Sequence, residues 1–236
     1  MAPHSRIILT RHAQAEHNVG LDYSIRDAPL TALGKKQAQA LVPQISQIAK
    51  EVDLVATSPL KRTLQTTKLG WGPAIDRLGG LSKVVLVPQF QECNGFPCDT
   101  GSSSATLSQD PELEGFDVSH LPEDWTSKEG FWSPDRSQIA KRAKWVRQWL
   151  RDRPEGTIVL VGHGDILRAV TCDVDGPSGY GWRNAEVRVF TFDPEWVDKD
   201  ECFLKEQKGH GVAVAGGYGP TSTEEDLFRG MGSCDE

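Results

Sequence analysis

Little in this chain points to a covalent staple, a membrane or a nucleic acid. Its five cysteines, Cys93, Cys98, Cys172, Cys202 and Cys234, are an odd number at irregular spacing, which suits neither a disulfide framework nor a four-thiolate zinc site. The apolar runs at 7–9 and 158–161 are short, far from the ~20 residues that span a bilayer. Lysine and arginine number 26 against 33 aspartates and glutamates, for a formal net charge of −7. Unspecific attraction to nucleic acid or to an anionic membrane is therefore disfavoured, and a phosphate site would need a local basic pocket. The histidines, His4, His12, His17, His120, His163 and His210, show no compact metal-ligand pair with a nearby carboxylate. There is no Walker loop ending in Gly-Lys-Ser/Thr. Gly162-His163-Gly164-Asp165-Ile166 has the outline of a nucleophile elbow but no serine at its centre. Cys93 and Cys98 lack the downstream arginine of a cysteine phosphatase. The opening residues reach an apolar run without the long apolar region and small-residue cleavage site of a signal peptide, so a cytoplasmic address is expected.

What is present is ordinary globular material: 38% hydrophobic and 25% charged over 236 residues, enough to bury a core. Residues 6–10 read as a strand, and Ala38, Leu41, Val42, Ile45 and Ile48 recur at helical spacing within 31–49. Residues 52–57 read as a second strand, after which Ser58-Pro59 supplies an N-cap and a first-turn proline for a helix through Leu69. Residues 84–87 make a third strand. The stretch from 90 to 132 is rich in Gly, Pro, Ser and Asp with little periodicity, as expected of an insertion, at about 91–136, over one end of a sheet.

Ile139, Ala143, Val146 and Leu150 share one helical face, which leaves Lys141, Arg142, Lys144 and Arg147 largely solvated. A strand at 157–161, the Gly162-His163-Gly164 turn, a helix capped by Asp165 and an alternating strand at 186–192 follow. Alternating strands and helices predict an α/β three-layer sandwich, a mostly parallel central sheet flanked by helices. Such sheets bind ligands beyond the carboxyl ends of their strands, where His12, Ser58 and His163 fall. The domain is expected to span 1–204, with a Gly-rich, acidic and poorly ordered tail over 205–236. Trp125, Trp132, Trp145 and Trp149 suit a core or pocket wall better than a base-stacking platform.

Five segments in order carry a resemblance: Thr10-Arg11-His12-Ala13 with Asn18; Pro29-Leu30-Thr31 to Gly34 and Gln37-Ala38; Ser58-Pro59-Leu60-Lys61-Arg62 to Gln65-Thr66; Gln91-Glu92; and Gly162-His163-Gly164. From about residue 6 to 192 the chain resembles the histidine phosphatase, or phosphoglycerate mutase-like, superfamily, with a flavour of its fungal members. The resemblance implies a metal-free, cofactor-free phosphatase acting on a small phosphorylated molecule through a phosphohistidine. His12 would be the nucleophile and Glu92 the proton donor. Arg11, Arg62, His163 and Asn18 would hold the phosphoryl oxygens.

The chemistry accounts for these residue types. A phosphate monoester carries ~1.5 to 2 negative charges near neutrality, so the site must first neutralise charge, and the planar arginine fork suits the phosphoryl oxygens better than a lysine point donor. Cationic surroundings disfavour protonation of His12 and leave a nitrogen lone pair for attack. Asp165 is a rival donor, though Gly164 separates it from His163. Two departures stand out: Ala13 and Gln14 replace the usual glycine and acidic residue, and Ala13 adds a methyl group beside the nucleophile. The segment from 90 to 101 also lacks the aromatic-rich sequence of typical mutases. A phosphomutase, a repurposed acid–base site on another metabolite and a phospho-ligand binding module are the competing readings.

Overall fold

The computed structural model describes residues 5–207, 213–217 and 221. In chain order it builds β1 (Arg6–Arg11), α1 (Glu16–Gly20), α2 (Ala32–Gln44), α3 (Ile48–Glu51), β2 (Leu54–Thr57), α4 (Lys61–Gly70) and α5 (Gly72–Arg77). There follow β3 (Val85–Leu86), α6 (Ser104–Ser108), α7 (Arg136–Asp152), β4 (Thr157–Gly162), α8 (Gly164–Val170), β5 (Glu186–Phe192), β6 (Leu204–Glu206) and β7 (Ala213–Val214). The strands lie in the order β3-β2-β4-β1-β5-β6, with β7 also paired to β5. β1 and β2 both run parallel to β4, and β3 runs parallel to β2. β5 runs antiparallel to β1, and β6 and β7 antiparallel to β5. The sheet is thus mixed, with its parallel half holding the first four strands.

The central strands are apolar without alternation because both faces are covered. Ile8 and Val159 point to one core, shared with Leu41 of α2 and Leu64 of α4. Ile7, Leu9, Ile158 and Leu160 point to the other, shared with Val146 and Leu150 of α7 and Ile166 of α8. This is the sandwich that the sequence predicts, and the parallel strands deliver their carboxyl ends, and His12, Ser58 and His163 with them, to one edge.

Several local expectations are corrected. The helix predicted over 31–49 breaks in two: Thr31 Oγ1 caps it by accepting the Gly34 N–H at 2.9 Å, Pro43 in its last turn cannot donate to the carbonyl four residues back, and the ladder ends with the Ile45 N–H on the Leu41 carbonyl at 3.0 Å. The helix predicted from Ser58 starts only at Lys61, because Leu60 is still extended (φ −71°, ψ 146°). Its Lys61 N–H is capped from elsewhere, by Asp27 Oδ1 at 2.9 Å. Arg142 and Arg147 of α7 are buried rather than solvated. Arg142 reaches the Gln91 carbonyl at 3.0 Å, and Arg147 reaches the Glu201 carbonyl at 2.7 Å and its carboxylate at 2.8 Å.

The insertion also does more than cover an edge. Leu107, Leu113, Phe116, Leu121, Trp125 and Trp132 all join the core on the α2 and α4 side, so its irregular path is held by burial rather than by repeating backbone structure. The boundary expected at 204 falls inside β6, whose Glu206 pairs with Phe190, and β7 extends the sheet as far as Val214. Thr221 is buried as well. The rest of the predicted tail, Cys234 included, lies outside the described residues.

Candidate active site

β1 ends at Arg11, and the next residue, His12, is buried at the sheet edge. Its backbone is pinned on both sides: its N–H donates to the Gly162 carbonyl at 2.9 Å and its carbonyl accepts the Ala185 N–H at 3.1 Å. His12 Nδ1 lies 2.7 Å from the Ala13 carbonyl oxygen. A carbonyl only accepts, so Nδ1 carries the proton and Nε2 carries the lone pair. Burial, then the fields of Arg62 and Arg11, hold the imidazole well below its ordinary pKa of 6.5. The ring is therefore neutral and basic at one nitrogen. Ala13 fits without left-handed backbone: its methyl group is buried in the core, and its N–H donates to Thr66 Oγ1 at 3.1 Å.

His163 stands beside it, the ring centres 5.2 Å apart. Arg62 Nε donates to His163 Nδ1 at 3.1 Å, which fixes the opposite tautomer: here Nε2 carries the proton and faces Ser58 Oγ at 2.9 Å. Arg62 also donates to the Cys98 carbonyl at 2.5 Å and to Asp99 Oδ1 at 2.9 Å, forming a buried ion pair. Arg11 donates through Nη1 to the Trp182 carbonyl. Small neighbours are required on both sides of His163. A Cβ on Gly162 would enter the Phe90 ring, and one on Gly164 would meet the Thr221 methyl group, with the Arg11 guanidinium just beyond.

Glu92 is buried with its carboxylate against the start of α8. Oε1 accepts the N–H groups of Cys93 at 3.0 Å and Ile166 at 3.1 Å, and Oε2 accepts that of Asp165 at 3.3 Å. The cap of α8 is thus Glu92, and the capping role expected of Asp165 is not observed. Asp165 lies inside the first turn and accepts from Thr221 Oγ1 at 2.9 Å. Burial, followed by the negative charges of Asp165 and Asp99, raises the Glu92 pKa to about 7. Half protonated near neutrality, it is able both to give and to take a proton.

Asn18 is placed differently from the expected phosphate contact. Its Oδ1 accepts the Ala15 N–H and its Nδ2 donates to His17 Nε2, both at 3.0 Å, so its side chain holds the α1 turn together. The ring that reaches toward His12 is His17, 6.0 Å away centre to centre. It is held neutral, with a pKa lowered to about 2 by burial and by the fields of Arg62 and Arg11. Its Nδ1 is buried without a hydrogen-bond partner.

Arg11, His12, Arg62, Glu92 and His163 are thereby brought together, and Asn18 stands behind His17. Sequence reasoning missed Asp99, Lys128 and the facing of Ser58 onto His163. Asp99 and Lys128 lie in the aperiodic insertion, where spacing carries no positional information; in the sequence Ser58 has the signature of a cap. Among the described residues no three His, Cys, Asp or Glu side chains gather to hold a metal ion. A cavity of about 710 Å³ opens between α7 and α8, and its walls include Cys93 and Asp165, two of the residues whose N–H groups hold Glu92.

The family model that describes the histidine phosphatase superfamily (branch 1) matches residues 7–197, a span that holds Arg11, His12, Arg62, Glu92 and His163. The chain belongs to the histidine phosphatase superfamily (branch 1). Among curated members, a phosphoglycerate mutase-like protein of Arabidopsis thaliana is 43% identical, covering 68% of this chain and 68% of that protein. A protein of Schizosaccharomyces pombe described as a phosphatase is 27% identical, covering 69% and 75%.

Solved structures share the fold. The Bacillus stearothermophilus protein YhfR gives a TM-score of 0.58 at 19% identity, covering 89% of this chain and 99% of that one. The phosphoserine phosphatase of Entamoeba histolytica, solved with phosphoserine, gives 0.53 at 20% identity, covering 86% and 95%. At these identities the likeness speaks for the fold. Membership of the histidine phosphatase superfamily and the phosphatase named among its relatives support phosphatase activity.

Proposed function

We propose that this chain hydrolyses a small organic phosphate monoester in two steps through His12. In the first, the Nε2 lone pair attacks phosphorus, the phosphorus–oxygen ester bond breaks, and the departing oxygen takes the proton of Glu92. In the second, Glu92 takes a proton from water as the water oxygen displaces His12, releasing inorganic phosphate and restoring both groups. Arg11, Arg62 and His163 offset the charge on the phosphoryl oxygens, so the scheme draws on protein cations alone.

The observation that carries this reading is the opposite tautomers of the two histidines. The Ala13 carbonyl presents a lone pair on His12, whereas Arg62 leaves His163 as a neutral N–H donor. A nucleophile and a donor from the same residue type, 5.2 Å apart, match in-line displacement with stabilisation of the transferred group.

The test is phosphate release from aryl, sugar, glycerate and nucleotide phosphates with a chelator present, the unchanged protein run beside His12→Ala. Release by the first and not by the second, with an acid-labile phosphoenzyme trapped on the first alone, is the expected result. Equal release by both would remove His12 from the reaction, and dependence on added metal would remove the metal-free scheme. Movement of the phosphoryl group to a second position of the product, without net release, would make the enzyme a mutase.

A further inference from the structure

Between Gln91 and Trp132 the sequence carries a succession of aspartates and glutamates and a single lysine or arginine, Lys128. The backbone at Lys128 is left-handed, φ 58°, a conformation that costs a non-glycine residue ~1 kcal/mol or more. The side chain is half-buried, and its ammonium donates to the backbone carbonyl of Glu92 at 3.2 Å. The lone cation of the insertion is therefore held beside the proton-donating residue.

The hydrogen-bond partner is a neutral carbonyl, and among the described residues no carboxylate lies within ion-pair distance of Lys128. Burial, with Arg142 adding to it and Asp99 opposing, brings the ammonium pKa down to about 8, so it is still mostly protonated at neutral pH. Asp99 and Glu92 act on the ammonium through their fields without an ion pair, and a partly desolvated ammonium whose hydrogen-bond partner is a neutral carbonyl gains from an anion that arrives with a ligand. The transferred phosphoryl group already has Arg11, Arg62 and His163. The ammonium is bonded to the main chain of Glu92 and its field reaches His163, which puts it at the rim of the phosphoryl site, beside the residue proposed to protonate the ester oxygen.

We propose that Lys128 is a specificity-determining residue whose ammonium pairs with a second anionic group, a carboxylate or a second phosphate, on the alcohol portion of the substrate. This rests on the phosphomonoesterase reading and narrows its substrate class to doubly anionic esters. In the proposed role the left-handed turn at Lys128 sets the reach of the ammonium, and Glu92 and Lys128 contact the ester oxygen and its anionic substituent respectively.

The test uses two matched pairs of ligands. Phosphoserine and phosphoethanolamine differ by a carboxylate; propane-1,3-diol bisphosphate and 3-hydroxypropyl phosphate differ by a phosphate. Dissociation constants are measured calorimetrically on the His12→Ala protein, where turnover plays no part, and kcat/KM on the protein with His12 intact. The expected result is a preference of about tenfold or more for the doubly anionic member of one pair, and the pair that shows it identifies the anion. Lys128→Met should abolish the preference through Kd and KM, and Lys128→Arg should retain most of it.

No preference in either pair, or an equal loss for both members of a pair in Lys128→Met, overturns the proposal. Unfolding of Lys128→Met would show in its melting curve, and Lys128→Arg then decides: retention of the preference in a folded Lys128→Arg protein supports the proposal, and its loss overturns it. A binding preference without phosphate release from any ester would instead sink the phosphomonoesterase reading and leave Lys128 as an anion contact.

Discussion

Glu92 Oε1 accepts the backbone N–H of Ile166 at 3.1 Å, so one carboxylate both closes the N-terminus of α8 and lies in the field of Arg62. A helix N-terminus favours the ionised form of a carboxyl group, yet burial and the charges of Asp165 and Asp99 prevail and lift its pKa to about 7.

Glu92→Gln should therefore separate leaving groups. Alkyl phosphates, whose alkoxide needs a proton, should lose about 100- to 10,000-fold in kcat, whereas an aryl phosphate with an acidic phenol should lose far less. Steady-state rates on the two classes check this, and equal losses on both would mean that Glu92 supports the fold rather than the proton transfer.

The pH profile should follow the carboxylates around Glu92. Its protonated form is needed for departure of the alcohol, so activity should fall as pH rises through about 7. Asp165→Asn removes the larger of the two neighbouring charges and Asp99→Asn the smaller. Each should move the alkaline limb to lower pH, Asp165→Asn by more. A limb that stays in place in both variants would assign it to another group.

Stability should weaken in mild acid. His12, His17 and His163 all have pKa values held below 6.5 in the folded protein, so protons bind first to the unfolded chain. Their contribution is present above pH 6.5 and is lost as pH falls below it, at about 1.4 kcal/mol per pH unit for each. Glu92, with its raised pKa, works in the opposite direction between about 7 and its unfolded value. The net loss of about 2 kcal/mol between pH 6.5 and 5.5 is read from urea unfolding at the two values, and equal midpoints would contradict it.

Gly162→Ala should destabilise the protein by about 1–3 kcal/mol through overpacking, because the added methyl group meets the buried Phe90 ring. Phe90→Leu in the same chain should recover part of the loss. A Gly162→Ala protein as stable as the parent would show that Phe90 yields freely.

The elements that announced themselves in the sequence were those whose identity is set locally. β1, β2 and β4 are apolar runs because both faces are covered, and α7 has its stripe of Ala143, Val146 and Leu150. His12, Arg62, Glu92 and His163 were legible because each follows or sits near a strand end in a recognisable motif. What stayed hidden depends on distant partners. Arg142 and Arg147 look like solvated charges until the Gln91 and Glu201 carbonyls arrive to satisfy them. Ser58 reads as a cap until Asp27 takes that task from 34 residues away. Lys128 and Asp99 sit where no backbone period exists to place a side chain.

The strand pairing sets an order of events during synthesis. Arg6 of β1 pairs with Thr157 of β4, and Thr10 with Val187 of β5, so the strand that presents His12 has neither neighbour until most of the chain exists. At roughly 5–20 residues per second, His12 leaves the ribosome about 8 to 30 seconds ahead of His163. Such long-range pairing folds slowly, and a nascent or truncated chain ending before β4 would carry the proposed nucleophile with no catalytic centre around it. The proposed centre can assemble only after β4 and β5 have closed on β1, so the proposed activity would report that closure.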